Sequence, residues 1–184
     1  TKYQWSKKNF NANYGGIPKN GWLHVTDRLY QTLPLYSNLK TTGVYIYAED
    51  IRVKSRKAII HAESEIRNEY TRDKQVSYQV ELIDRDGTSI QTFEGTKAVV
   101  KPGETITLKA ASEVDNLHFW SWGYGYLYTV KTSLWVDGRK VDEVATRTGF
   151  RKTRFGKGMI WLNDRVLQMK GFAQRTSNEC HVVY

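Results

Sequence analysis

Leu134-Trp135-Val136-Asp137-Gly138-Arg139-Lys140-Val141-Asp142-Glu143-Val144-Ala145-Thr146-Arg147-Thr148-Gly149-Phe150-Arg151, then Met159-Ile160-Trp161-Leu162-Asn163-Asp164-Arg165-Val166-Leu167-Gln168-Met169-Lys170-Gly171, is the stretch on which the reading of the fold turns. An apolar strand runs into Asp137-Gly138, a dipeptide suited to a two-residue hairpin turn because both central positions there take positive φ. A second strand returns to Phe150. A new hairpin is read around Asn163-Asp164, and its strand stops at Gly171. One β architecture ends near Phe150 and another begins.

Upstream, from Thr42 to about Phe150, short alternating segments recur between turn signals. Val44, Ile46 and Ala48, then Ile60, Ala62, Ser64 and Ile66, then Val76, Tyr78, Val80 and Leu82 each put one face inward, because successive strand side chains point to opposite faces. Turns fall at Asp84-Arg85-Asp86-Gly87 and at Lys101-Pro102-Gly103-Glu104, with Ile90 and Phe93 between them and Ile106, Leu108 and Ala110 after them. About seven strands result, the number of an immunoglobulin-like β-sandwich, so the fold class is all-β.

A chain of 184 residues buries roughly two-thirds of its unfolded surface, enough for one core with flanking pieces. No apolar run approaches the roughly 18 residues of a helical membrane span, and no membrane partner is read. The single Cys180 excludes an intramolecular disulfide. The chain opens at Thr1 without a basic start and apolar core, so any targeting segment is expected upstream or removed. Net charge is +9, and residues 139–175 hold ten Lys or Arg against Asp142, Glu143 and Asp164, a local excess of +7. Such an edge either binds phosphates or faces an acidic surface elsewhere in the molecule. With neither a basic helix nor a recognition motif, the second reading is preferred and no nucleic acid is read as a partner.

Residues 1–36 carry Tyr14-Gly15-Gly16-Ile17-Pro18, a turn at Asn20-Gly21 and a strand-like Trp22-Leu23-His24-Val25, too little to close a core alone. This Gly-Gly-Ile stretch, the segment Leu117-His118-Phe119-Trp120-Ser121-Trp122 leading into Tyr126-Leu127-Tyr128-Thr129-Val130-Lys131, and the hairpins ending at Gly171 together resemble glycoside hydrolase family 2, the β-galactosidase, β-glucuronidase and β-mannosidase group. The resemblance covers most of the chain. It departs at Pro18-Lys19, where the family usually has Tyr-Arg, and at Gly125, where it has Pro. It implies residues 1–38 as the tail of a jelly-roll, sugar-binding-like domain, 39–152 as the immunoglobulin-like sandwich, and 153–184 as the first hairpin and strand of a truncated TIM barrel. It also implies a parent enzyme that is a retaining, β-galactosidase-like O-glycosyl hydrolase without a cofactor, acting on a carbohydrate substrate. The sandwich then serves as spacer between sugar-binding domain and barrel. Family members that digest polysaccharide fragments are often exported, which leans localisation toward periplasm or exterior.

Retaining hydrolysis needs two carboxyl groups roughly 5–5.5 Å apart. The family takes both glutamates from barrel strands beyond the first, so the chain by itself is expected to be inactive. Asn178-Glu179 imitates the family's acid/base dipeptide but follows Gly171 too closely, beside the first barrel strand rather than the fourth. Just past Gly171, Gln174 and Arg175 stand where the family often has Arg-His, and the resemblance makes them substrate contacts in a complete barrel. Other acidic positions read as structure. Glu63 and Glu65 share a strand face about 7 Å apart and belong, with His61, to a solvated side. Asp84-x-Asp86-Gly87 lacks the later ligands of a calcium loop and reads as a β-turn. No two His residues sit at metal spacing, and adjacent Cys180-His181 would diverge on a strand, so no metal site is read.

The alternative is a free-standing carbohydrate-binding module. Trp120, Trp122, Tyr124 and Tyr126 would form its stacking platform if their segment were a regular strand, whereas Gly123 and Gly125 favour an irregular loop. Met159, Trp161 and Phe172 are expected to need a barrel for cover. Without one the chain should either pair with a second copy through that surface or leave its C-terminal end loose.

Overall fold

The computed structural model describes residues 20–171. Residues 26–167 form one unit; residues 1–25 with 168–184 form a second, of which only 20–25 and 168–171 are described. Those described positions hold no strand. The strand read at Trp22–Val25 is therefore irregular chain, because an apolar alternation becomes a strand only with a ladder partner.

The architecture grows from one segment. β3 (Lys57–Asn68) buries every second residue along its whole length. Ala58, Ile60, Ala62, Ser64, Ile66 and Asn68 point inward. Both edges of β3 are occupied: β1 (Leu29–Gln31) and β2 (Val44–Arg52) pair with one, and β6 (Thr105–Val114) with the other. Against this sheet lies a second four-stranded sheet in the order β5 (Ser89–Val100), β4 (Lys74–Ile83), β7 (Tyr128–Val136), β8 (Arg139–Thr148). Every pairing is antiparallel. The chain alternates between two facing sheets, which is the immunoglobulin-like plan. Between Thr42 and Phe150 the strands number seven, as read, and β1, ahead of residue 39, adds a short eighth at the edge.

Ile60, Ile66, Val76, Val80, Leu82, Leu108 and Val130 are wholly buried between the sheets, each such side chain contributing about 1.5–3 kcal/mol by leaving water. Polar groups in this core are hydrogen-bonded, two of them in pairs across the sheets. Tyr78 Oη and Ser64 Oγ, on opposite sheets, share a hydrogen bond of 2.7 Å. Burial pushes the Tyr78 phenol up to about 12. β1 is stitched across by Gln31, whose Nε2 donates to the Thr132 carbonyl at 3.0 Å while Thr132 Oγ1 donates back to Gln31 Oε1 at 2.6 Å. An unpaired buried amide would cost about 1–3 kcal/mol, so the two partners are needed together.

The turns follow the residues read for them. Asp137 and Gly138 both take positive φ, 50° and 74°, and so do Asn163 and Asp164, at 48° and 63°. Asp84–Gly87 closes as a turn through a Gly87 N–H bond to the Asp84 carbonyl. Lys157-Gly158 makes one more such hairpin, absent from the sequence reading. It joins β9 (Thr153–Gly156) to β10 (Met159–Leu162), and Asn163-Asp164 joins β10 to β11 (Arg165–Leu167), giving a separate three-stranded sheet. Its last strand ends at Leu167 rather than Gly171.

The open edge between β5 and β6 is closed by Thr96, whose hydroxyl donates to the Lys109 carbonyl at 2.9 Å and accepts the Lys109 N–H at 3.3 Å. Beside it, a Cβ on Gly95 would stand 2.5 Å from that carbonyl and 2.7 Å from the Tyr78 ring. Gly95→Ala is expected to lower stability by about 1–3 kcal/mol through overpacking, measured by urea unfolding; an unchanged midpoint would show that this edge is not tight.

Candidate functional site

Residues 115–127 connect β6 to β7 across one end of the sandwich. Leu117 and Phe119 are buried there, and the Trp120 N–H donates to the Phe150 carbonyl at 2.8 Å. Ser121 and Tyr124 then form a bridged turn through reciprocal backbone bonds of 3.0 and 2.9 Å, with Gly123 at φ 72°. That turn lifts Trp122 to the tip, 69% exposed, while Tyr126 sinks to 6%. Trp120, half-buried, lies beneath Arg151, whose guanidinium is 5.2 Å from its ring. Trp120, Trp122, Tyr124 and Tyr126 therefore do not share a face, and the platform an isolated module would use does not form. The turn breaks the two-residue period that a platform needs.

The aromatic residues build a wall instead. His118 stacks on Tyr126 at 4.5 Å, Tyr124 on Tyr126 at 5.6 Å, and Tyr128 tilts against Phe150 at 5.7 Å. Tyr124 Oη and His118 Nδ1 are 2.9 Å apart. Tyr128 Oη accepts the His118 N–H at 2.7 Å, which fixes the loop to the start of β7. Tyr126 donates its hydroxyl to the Asp84 carboxylate, and that bond, with burial, pushes its phenol up to about 12.

On this wall sits the small β9–β11 sheet, with Leu162 buried and Asn163 as its hydrogen-bonded fastening. Asn163 donates its backbone N–H to the Lys152 carbonyl at 2.9 Å, accepts the Lys152 N–H on Oδ1 at 3.0 Å, and donates from Nδ2 to the Trp120 carbonyl at 2.9 Å. Lys152 also pairs with Asp164 at 2.9 Å. A cavity of about 440 Å³ opens between loop and hairpin, lined by Arg56, His118, Trp122, Tyr124, Leu162 and Val166 among others, none of them a carboxylate. Within the basic stretch, Arg151 and Arg154 cover Trp120 and Trp161, and Lys140 and Lys152 pair with Glu143 and Asp164. Much of its charge is thus engaged locally.

Met159 and Phe155 are exposed at 39% and 74%, while Trp161 is half-covered by Arg154 at 4.3 Å. His61, Glu63 and Glu65, read as a solvated side, are half-buried. Glu65 accepts the Thr32 hydroxyl at 2.7 Å and the Thr42 N–H at 3.1 Å, so it is a structural acceptor. Gln174, Arg175, Asn178, Glu179, Cys180, His181 and Phe172 lie outside the described residues. The sequence reading missed Asn163 as a fastening; its only signal was an Asn in the left-handed first position of a hairpin turn, which does not reveal what the amide reaches.

An immunoglobulin-like sandwich with a small hairpin sheet fastened to one end is the architecture on which the comparison with known proteins rests. Residues 44–151 match the model of glycosyl hydrolases family 2, and the chain belongs to that family. It is 30% identical over 175 residues to a beta-glucuronidase of Formosa agariphila, a match covering 95% of this chain and 18% of that protein. A solved beta-glucuronidase from glycoside hydrolase family 2 is similar with a TM-score of 0.74 at 29% identity, over 81% of this chain and 15% of its own. Bacteroides uniformis beta-glucuronidase 2 shares the fold, with a TM-score of 0.67 at 21% identity, over 79% of this chain and 17% of its own. The chain thus spans less than a fifth of the length of these relatives.

Two outcomes follow from this end of the molecule. Asn163→Gly keeps the turn's backbone freedom but removes both side-chain bonds, and is expected to cost about 1–2 kcal/mol, read as a lower urea midpoint; an unaffected midpoint contradicts the fastening. Because the Tyr126 phenol is raised from 10.0 to about 12 in the fold, its neutral form is favoured there, and that stability is present below pH 10 and lost as pH rises toward 12. Tyr126→Phe should flatten the decline in urea midpoint over that window, and an identical slope would remove Tyr126 from the alkaline transition.

Proposed function

We propose that this chain is the non-catalytic sandwich of a family 2 glycosidase, a brace that sets the position of a catalytic barrel relative to a preceding sugar-binding domain. The observation that carries the reading is the Asn163 fastening: directly after the family-matched residues 44–151, the Asn163 amide ties the hairpin to the Trp120 carbonyl of the sandwich loop. A brace needs such a rigid exit, since catalytic groups displaced by about 1 Å lose rate steeply. The cavity at that end, lined by no carboxylate, supports a mechanical rather than a chemical role.

The division into a jelly-roll tail, a sandwich and a barrel start belongs to this proposal, with the sandwich extended back to take in β1. In the whole protein the barrel supplies two glutamates and the reaction is retaining hydrolysis of an O-glycosidic bond. Gln174 and Arg175 contact the sugar just after the first barrel strand. The beta-glucuronidase relatives favour a β-glucuronide as substrate over a β-galactoside.

The test compares two proteins. The 184-residue chain should release no 4-nitrophenol from 4-nitrophenyl β-D-glucuronide or β-D-galactoside, whereas the product of its whole reading frame should cleave the glucuronide with retention of anomeric configuration. Turnover by the 184-residue chain, or a whole product without hydrolase activity, contradicts the reading.

A further inference from the structure

The outer face of β3 carries side chains that neither the core nor the brace uses. Register places Tyr45, Glu63 and Lys109 in one row across β2, β3 and β6, and Tyr47, His61 and Ala111 in the next. The rings form a ladder: Tyr45 stacks on Tyr47 at 5.1 Å, and Tyr47 on His61 at 4.8 Å with planes 6° apart. Tyr45 is 61% exposed and Tyr36, on the short helix α1 (Tyr36–Leu39), 69%.

Two cavities flank Glu63. One, of about 490 Å³, is lined by Tyr36, Tyr45, Thr42, Thr107 and Glu63; the other, of about 440 Å³, by Tyr47, His61, Lys109, Ala111 and Glu63. Both fall within the roughly 300–1,000 Å³ of small-molecule sites. Glu63 Oε1 is engaged, accepting from Lys109 Nζ at 2.9 Å and from Tyr47 Oη at 3.3 Å, while among the described residues nothing donates to Oε2. The backbone on either side of Tyr36, from Thr32 to Gly43, is held in place. Thr41 Oγ1 donates to the Leu33 carbonyl at 2.6 Å, Gly43 N–H donates to Thr32 Oγ1 at 3.2 Å, and a Cβ on Gly43 would stand 2.6 Å from Pro34 N. Such preorganisation lowers the ordering cost of a ligand.

We propose that this face is an accessory groove for a neutral glycan, with successive pyranose rings in the two cavities on either side of Glu63. The exposed rings of Tyr36 and Tyr45 suit the apolar faces of pyranoses, and the Tyr47–His61 stack walls the second cavity. Thr42, Thr107 and the free Glu63 oxygen suit their hydroxyls. An acidic sugar is disfavoured, because Lys109 is already paired with Glu63 and an added carboxylate would meet Glu63 Oε2 and Glu49. The groove lies apart from Trp120 and Trp122, and its readout is binding rather than hydrolysis, so it stands or falls separately from the brace.

Affinity electrophoresis of the 184-residue chain through gels containing galactomannan, xyloglucan or polygalacturonate tests it. Retardation is expected in at least one neutral gel and less in polygalacturonate. Tyr45→Ala, at an exposed ring, should abolish it; Glu63→Gln should weaken apparent affinity about tenfold; Trp122→Ala should leave it unchanged. Circular dichroism confirms that each variant is folded, and Tyr36→Ala replaces any that is not. No retardation in either neutral gel, retardation that survives Tyr45→Ala in the folded protein, stronger retardation in polygalacturonate, or a Tyr45-dependent dimer without retardation overturns the proposal.

Discussion

The strict alternation of β3 is the constraint to which the rest of the molecule is fitted. Twelve residues, Lys57–Asn68, bury one side chain in two without interruption, and both edges of the strand are paired. A one-residue slip would carry Ile60, Ala62 and Ile66 out of the core and His61, Glu63 and Glu65 into it, so register is fixed by burial alone. The inner face sets the core and the Ser64–Tyr78 bond that ties the sheets together. The outer face sets the row of Tyr45, Glu63 and Lys109. Core and groove are two readings of one strand.

At the other end of the chain order, a single amide decides whether the hairpin sheet belongs to the sandwich. Asn163 bonds three backbone atoms, the N–H and carbonyl of Lys152 and the carbonyl of Trp120. Aromatic stacking beneath them, from His118 through Tyr126 to Tyr128, gives the loop a stiff base. The sandwich and the β9–β11 sheet fall within one compact unit, Thr26–Leu167, as the proposed brace requires.

Much of this was legible in the sequence. Alternation identified the strands of the sandwich, and Asp137-Gly138 and Asn163-Asp164 marked hairpins because Asn, Asp and Gly tolerate the left-handed backbone such turns demand. The order of these features gave the family, which the match over residues 44–151 establishes. What stayed hidden was long-range. β1 is too short to announce itself and exists because Gln31 finds Thr132 a hundred residues away. The strand read at Trp22–Val25 has the right pattern and no ladder partner among the described residues. Trp120, Trp122, Tyr124 and Tyr126 have platform spacing, but the Ser121–Tyr124 turn sends Trp122 outward and Tyr126 inward. Spacing alone reads Glu63 and Glu65 as solvated, since it cannot show that Thr32, Thr42 and Lys109 come to meet them.

The claim that sandwich and hairpin form one rigid brace is tested most directly by native-state hydrogen exchange on the 184-residue chain. The account predicts that the backbone amides of β10 exchange with an opening free energy close to that of β3 and β4, since separating the small sheet means breaking the Asn163 contacts and the wall beneath them. Rapid exchange throughout β9–β11, with β3 and β4 still protected, would show a hairpin that opens on its own and would contradict the account.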